Sequence, residues 1–266
     1  MKLAFTTLGC PGWSFEKILD EAKSMGFTGV EIRGVEGEMR AEKIPYFFPE
    51  NVDKTLAMFK DRGLTIVGFS TSVKFHDDAS AENALEEGRL AIDVCVRMGI
   101  PCIRVFGDMI EGELSAAIEK IAKRLRVLCE YARGKNVDVL LEIHGDFDRL
   151  EVVMPLIEKV KDCPEFGILW DIEHSHKVYE DNWPVFYEGI KPWIRHTHFK
   201  DLKKVDGGFK LCVPGEGDIP MGDIYRRMDA DGYKGWYSLE WEKLWHPELA
   251  EPEVALPSYV KYMKKQ

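Results

Sequence analysis

Four polar side chains stand at the ends of apolar, β-type runs in the C-terminal half of the chain. They are Glu142 in 139–144, Asp171 in 168–174, His198 in 196–199 and Glu240 in 238–241. Side chains alternate faces along a strand. Glu142 and His144 therefore share a side, opposite Val139, Leu141 and Ile143. Asp171 shares parity with Leu169, while Ile168, Trp170 and Ile172 take the other face. His196 and His198 point one way, and Glu240 has the small Ser238 beneath it. In these runs the branched and aromatic residues occupy the face that a helix would cover, so the four polar groups are expected to converge. Three carboxylates gathered in a partly dry place raise one another's pKa, and desolvation adds to the effect. A divalent cation resolves that conflict, and three carboxylates with one imidazole make a ligand set for it. Oxygen-rich sets suit Mn²⁺, Mg²⁺ or Co²⁺, and the general affinity order also admits Zn²⁺. Taken singly, each residue could equally be an ordinary polar strand end.

Such a convergence needs elements that bring distant strand ends together, and the chain repeats a suitable unit. An amphipathic helical stretch ends near Gly, an apolar residue follows, and a β-type run comes next. Instances are Met25-Gly26-Phe27 before 29–33, Arg62-Gly63-Leu64 before 65–71 and Met98-Gly99-Ile100 before 102–107. Two more are Ala132-Arg133-Gly134 before 137–144 and Asp231-Gly232-Tyr233 before 236–241. Glycine past a helix end takes the left-handed conformation that closes the helix, and the next apolar residue packs back on the last turn. Helices are expected from the Ser14 cap to Met25 and near 50–62, 80–98, 114–133, 149–161, 183–190, 221–229 and 254–264. With strands at 3–7, 168–172 and 194–199, this makes eight strands and about eight helices in alternation. Alternating β and α elements form either a doubly wound open sheet or a closed (β/α)₈ barrel. The count of eight, and the lack of a G-x-G-x-x-G turn, point to an α/β fold with one TIM-barrel domain over residues 1–266. Catalytic groups of such barrels sit at the carboxyl ends of the strands.

Composition narrows the function classes. The 36 Lys and Arg against 46 Asp and Glu give a formal net charge of −10, which argues against a broad nucleic-acid-binding face. With 45% hydrophobic and 31% charged residues the chain reads as globular rather than disordered. No apolar run approaches the roughly 18 residues of a membrane span. Cys10, Cys95, Cys102, Cys129, Cys163 and Cys212 are scattered without a C-x-x-C pair, as in reduced, mostly buried thiols. The opening MKLAFTTLGC has too short an apolar core for an export signal and runs into Pro11-Gly12, so it reads as a first strand. A cytoplasmic location is expected.

The segments Leu-Glu142-Ile-His, Trp-Asp171-Ile-Glu-His174, His196-Thr-His198-Phe-Lys-Asp201, Pro214-Gly-Glu-Gly217 and Ser-Leu-Glu240 resemble, in order and over nearly the whole chain, one superfamily. It is that of the xylose-isomerase-like sugar isomerases and epimerases. Its members include ketose 3-epimerases, hydroxypyruvate isomerases, inosose dehydratases and isomerases, and apurinic endonucleases. The resemblance implies a single divalent metal ion held by Glu142, Asp171, His198 and Glu240, with His174 near a substrate oxygen. It also implies substrate contacts at Asp148, six residues after Glu142, and at Lys204, six after His198, where ketose 3-epimerases carry Arg. The endonuclease branch needs further metal-binding histidines. Only seven occur here and no basic patch accompanies them, so DNA cleavage is not expected.

The expected chemistry is proton movement α to a carbonyl. A divalent ion stabilises an enediolate oxygen and acidifies the neighbouring C–H. Glu142 and Glu240, arriving from strands far apart, would flank that carbon, one removing the proton and the other or a water returning it. The substrate would be a ketose or a related small polyol ketone. Alternatives are an inosose-type dehydratase using the same enolisation, or a barrel that binds sugar without catalysis. His144 is expected at the substrate or behind a ligand, and His196 in support. Lys200, Lys203 and Lys204 lie in a charged stretch that either stays solvated or meets an acidic sugar. Glu216 in Pro-Gly-Glu-Gly-Asp is a lid contact or a turn. Glu31 and His76, at or just after the second and third strands, fall within reach of substrate. Trp13 stacks on a sugar or packs a loop, and Trp170 and Trp241 face helices. By family analogy the protein would form a dimer or tetramer.

Overall fold

The computed structural model describes residues 1–266. Seven strands run through the chain in order: β1 (Leu3–Thr6), β2 (Gly29–Ile32), β3 (Thr65–Lys74), β4 (Cys102–Phe106), β5 (Asp138–Glu142), β6 (Phe166–Asp171) and β7 (Ile194–Phe199). A small antiparallel hairpin of β8 (Leu202–Val205) and β9 (Gly208–Leu211) comes next, then β10 (Tyr237–Leu239). All but the hairpin strands pair in parallel and close into an eight-stranded barrel, β10 bridging β7 and β1. The helices are α1 (Phe15–Met25), α2 (Val52–Arg62), α3 (Ala81–Met98), α4 (Leu114–Ala132), α5 (Leu150–Val160), α6 (Ile172–Tyr179), α7 (Trp183–Ile190), α8 (Met221–Ala230) and α9 (Pro252–Met263). The single-domain (β/α)₈ barrel expected from alternation is the fold observed. No helix is long and apolar enough to cross a membrane.

The helix-closing units behave as their residues require. Ser14 accepts a hydrogen bond from the Lys17 N–H at the start of α1, and Gly26 ends it at φ +90°. Phe27 then donates its N–H to Ala22. Strand parity also holds. Val139, Leu141, Ile143, Ile168 and Trp170 pack in the layer between barrel and helices. Cys102, Leu140 and Leu169 form a separate apolar floor inside the barrel, beneath the polar mouth.

Two elements depart from the sequence reading. The run 168–174 is not one strand: β6 stops at Asp171, whose carboxylate accepts the Glu173 N–H at 2.9 Å and caps α6. The alternation of Ile168, Trp170 and Ile172 disguised an aspartate cap. The charged stretch after His198 is also not an open loop. Its residues 202–211 alternate around Asp206-Gly207, a two-residue turn signal, and Gly207 sits at φ +85°.

Candidate metal centre

Parallel register sets the site. β6 and β7 place Asp171 opposite His198, and β10 places Ser238 opposite His198, so Glu240 emerges just above. Glu142, Asp171, His198 and Glu240 are all buried and offer ligand atoms within 4.8 Å of one another. His198 Nδ1 lies 2.9 Å from Glu142 Oε1 and 3.4 Å from Glu240 Oε2. Its Nε2 is engaged at 2.9 Å by Glu31 Oε1, so Nδ1 is the nitrogen turned to the acids. Glu31 is buried one layer down and is held from four sides. It meets His196 Nε2 at 2.7 Å and accepts hydroxyl hydrogen bonds from Ser70 at 2.5 Å and Ser238 at 2.8 Å, besides its bond to His198. A carboxylate behind a ligating histidine fixes its tautomer and ring orientation.

Cations hold the acids from the other side. Arg104 Nη1 approaches Glu142 Oε2 at 2.8 Å, its guanidinium lying 3.9 Å from the centre of the Phe106 ring. Lys200 is 1% exposed, so it does not stand in a solvated loop. Its Nζ is 2.6 Å from Glu240, 2.8 Å from Asp171, 3.1 Å from Glu173 and 2.5 Å from Glu242. Despite these cations, Glu142 Oε2 and Asp171 Oδ2 are buried without an aligned hydrogen bond. Unsatisfied buried carboxylate oxygens beside an imidazole nitrogen turned toward the acids fit a hard divalent cation.

The electrostatics agree with that fit. Burial pushes the Asp171 carboxyl up to about 7, with Glu173, Glu240 and Glu142 adding to the push against the pull of Lys200. Burial also opposes ionisation of Glu142, but Arg104 and His198 outweigh it and bring the group down to about 2. For His198 burial favours the neutral ring, yet Glu240, Glu31 and Glu142 hold it well above the ordinary histidine value. A cation at this centre must therefore displace protons from Asp171 and from His198 Nδ1. Metal affinity is expected to rise between pH 5 and 8, with protons released on binding. Calorimetry in two buffers of different ionisation enthalpy measures this, and a pH-independent affinity would contradict it. In chelator the sign reverses for stability. Asp171, raised above its unfolded value of 3.8, stabilises fully below that pH and loses the contribution as pH climbs to about 7.

A family model described as a xylose isomerase-like TIM barrel matches residues 19–265. The chain belongs to this family. Among curated relatives, the 3-dehydroshikimate dehydratase of Bacillus anthracis is 28% identical over 198 residues, 73% of this chain and 68% of the relative. The inosose dehydratase of Geobacillus thermodenitrificans is 25% identical, covering 91% and 87% of the two chains. The fructoselysine 3-epimerase of Shigella flexneri is 23% identical over 90% of each. A crystal structure of the probable 3-DHS dehydratase of B. anthracis superposes with a TM-score of 0.81 at 23% identity, over 99% of both chains. A Mycobacterium smegmatis barrel in complex with magnesium superposes at TM-score 0.74, 15% identical over 99% and 95% of the two chains. The IOLI protein with a zinc atom reaches 0.77, 16% identical over 100% and 96%. The curated relatives of this family member thus include both dehydratases and epimerases.

Beside the cluster of Glu142, Asp171, His198 and Glu240 lies a cavity of about 310 Å³ lined by His144, Glu173, His174, Lys177, Phe209 and His246, among others. His174 Nε2 is 3.8 Å from Asp171 Oδ2, and burial brings its pKa down to about 3. The His144 and His174 rings are 4.3 Å apart between centres. His76 Nδ1 sits 3.6 Å from Asp108 Oδ2, and Asp108 also approaches His144 at 3.5 Å. Asp148 is in the turn after β5, paired with Arg149 at 3.0 Å. Lys204 is outward on the hairpin, 61% exposed and paired with Glu180 at 2.8 Å, and Glu216 is exposed on its turn. Trp13 lines a different cavity, its indole N–H donating to Glu253 at 3.2 Å. Trp170 and Trp241 are buried in the helix-facing layer.

Sequence reasoning passed over Arg104, Arg33, Asp108, Glu173 and Glu242. Arg104 carried a usable signal, because it shares inward parity with Cys102 between apolar Ile103 and Val105. The Glu31 network yields a prediction of its own. Glu31→Gln should weaken metal binding by about 10- to 100-fold by freeing the His198 ring. Unchanged affinity by calorimetry would contradict that role.

Proposed function

We propose that this family member is a divalent-metal-dependent carbohydrate isomerase or epimerase that moves a proton α to a carbonyl in a ketose or related small polyol ketone. One observation carries the reading. Glu142 on β5 and Glu240 after β10 stand at the two ends of a four-strand arc, yet both reach the same His198 Nδ1. A single metal ion (Mn²⁺, Mg²⁺ or Co²⁺, with Zn²⁺ admissible) would be held by Glu142, Asp171, His198 and Glu240. When bound, it supplies the charge that stabilises an oxyanion developing at the substrate carbonyl. Glu142, kept ionised by Arg104, is suited to accept the proton from one side. Glu240, steadied by Lys200, is suited to handle it on the other, giving epimerisation across faces or isomerisation if the proton lands on the next carbon. His174 stays neutral near pH 7 and can hydrogen-bond a substrate oxygen without adding charge. We place this activity in the cytoplasm, on a small molecule rather than nucleic acid, in a homodimer or homotetramer.

A dehydratase is the second reading, and His144 favours it. Although burial favours its neutral form, Asp108 and Glu142 raise it above the ordinary histidine value, so it can hand a proton to a departing hydroxyl after enolisation. The test is a proton-exchange screen in D₂O of ketoses, inososes and hydroxypyruvate with added Mn²⁺. Deuterium entering the α-carbon is expected, and ultraviolet absorbance of an unsaturated product marks the dehydratase. A protein that binds metal and exchanges no α-proton is a binding barrel, and the enzymatic reading then fails.

A further inference from the structure

Arg33 stands in the bend that follows β2, two residues after Glu31. It is 8% exposed, donates from Nη2 to Ser72 Oγ at 3.0 Å, and leaves Nη1 buried without a partner. The nearby acids are already engaged. Glu142 is taken by Arg104 and His198, Glu240 by Lys200, and Glu87 by Arg40 and the Ser72 N–H. Arg33 makes no ion pair of its own; burial and then the Arg104 guanidinium work against its charge, and Glu240, Glu87 and Glu142 offset them only in part. A buried cation normally has a counter-charge, because desolvation is costly.

Arg33 lines a cavity of about 260 Å³ whose other walls include Leu8, Trp13, Met39 and Trp245. Glu36 also borders it, but its carboxylate accepts the Phe15 N–H at 2.9 Å and the Tyr46 hydroxyl at 3.0 Å. Lys17, stacked 4.5 Å from the Trp13 ring centre, is paired with Glu253. One planar guanidinium with an unpaired Nη1, among walls that are largely apolar, matches a monoanionic carboxylate on a ring or planar skeleton. A phosphate dianion would call for more donors than the cavity presents.

We propose that Arg33 is a substrate-carboxylate site, so that the polyol ketone handled at the metal centre is an acid whose carboxylate end reaches toward the Trp13 and Trp245 cavity. The proposal rests on the enolisation reading above for the identity of its ligand as substrate. Its test is calorimetric titration of the full-length, Mn²⁺-loaded protein with 3-hydroxybenzoate and with its neutral isostere 3-hydroxybenzamide. The carboxylate is expected to bind about tenfold or more tighter than the amide. In Arg33→Met the ratio should collapse to about one, and in Arg33→Lys it should fall several-fold, because the fork is lost and the charge kept. Arg33→Met should melt no lower than the parent without ligand, since an unpaired buried cation is removed. Equal binding of the two probes, no binding of the carboxylate at millimolar concentration, or a preference that survives Arg33→Met overturns the assignment. The last outcome would mean that the metal centre holds the carboxylate. A null D₂O screen with an Arg33-dependent preference removes the enolisation reading and keeps the anion site. Exchange without the preference does the reverse.

Discussion

Glu142→Gln and Glu240→Gln should each lower kcat/KM more than about 100-fold, a barrier increase of about 3 kcal/mol. Each change keeps side-chain shape but removes the capacity to take a proton. At position 142 the amide also turns N–H groups toward Arg104, which stands 2.8 Å from the native carboxylate. Both residues are proposed ligands, so metal affinity must be measured in parallel. With metal saturating, a defect in proton transfer persists, whereas a defect in binding is rescued. If two faces are used, each variant should exchange deuterium into only one of the two epimers. A variant with the parent's turnover and exchange would sink the two-carboxylate mechanism.

Arg104→Met should cost about 3–5 kcal/mol of stability at pH 7, because it leaves Glu142 as a buried charge without its guanidinium. The pair is 4% and 2% exposed, so solvent screens little of it. Glu142 has its folded pKa depressed to about 2 from a reference value of 4.5, so its stabilising contribution is present above pH 4.5 and is lost as pH falls toward 2. The gap between variant and parent should therefore be wide at neutral pH and shrink in acid. Saturating Mn²⁺ should narrow it as well, by binding the folded state and supplying the missing positive charge. The double change Arg104→Met with Glu142→Leu should recover much of the loss, since a buried pair replaced by apolar groups is often neutral. Denaturant melts in chelator measure all three proteins. Parent-like stability of Arg104→Met would show that Glu142 does not depend on its partner.

The barrel and the convergence of Glu142, Asp171, His198 and Glu240 were legible from the chain alone, and the reason is local. Strand parity has a period of two residues, and helix closure at Gly26, Gly63 or Gly99 needs only the glycine and its apolar successor. Five such units and three further β-type runs make eight strands, and parity then separates Glu142 from Leu141 and Asp171 from Trp170. Even local signals fail when two overlap, as at Asp171, where an alternating run conceals a helix cap.

What the chain could not disclose is which charge meets which. Glu31 faces His196 and His198 across 165 and 167 residues of sequence, and that meeting exists only once the barrel closes. Lys200 reads as one lysine among several in a charged stretch. Only the fold turns it inward among four acids while Lys204, four residues on, is left in solvent. Arg33 likewise shows its missing partner only after every neighbouring carboxylate has been claimed. Ion-pair choice depends on register, closure and the local loss of water, all long-range quantities, whereas periodicity depends on backbone geometry that each segment carries with it.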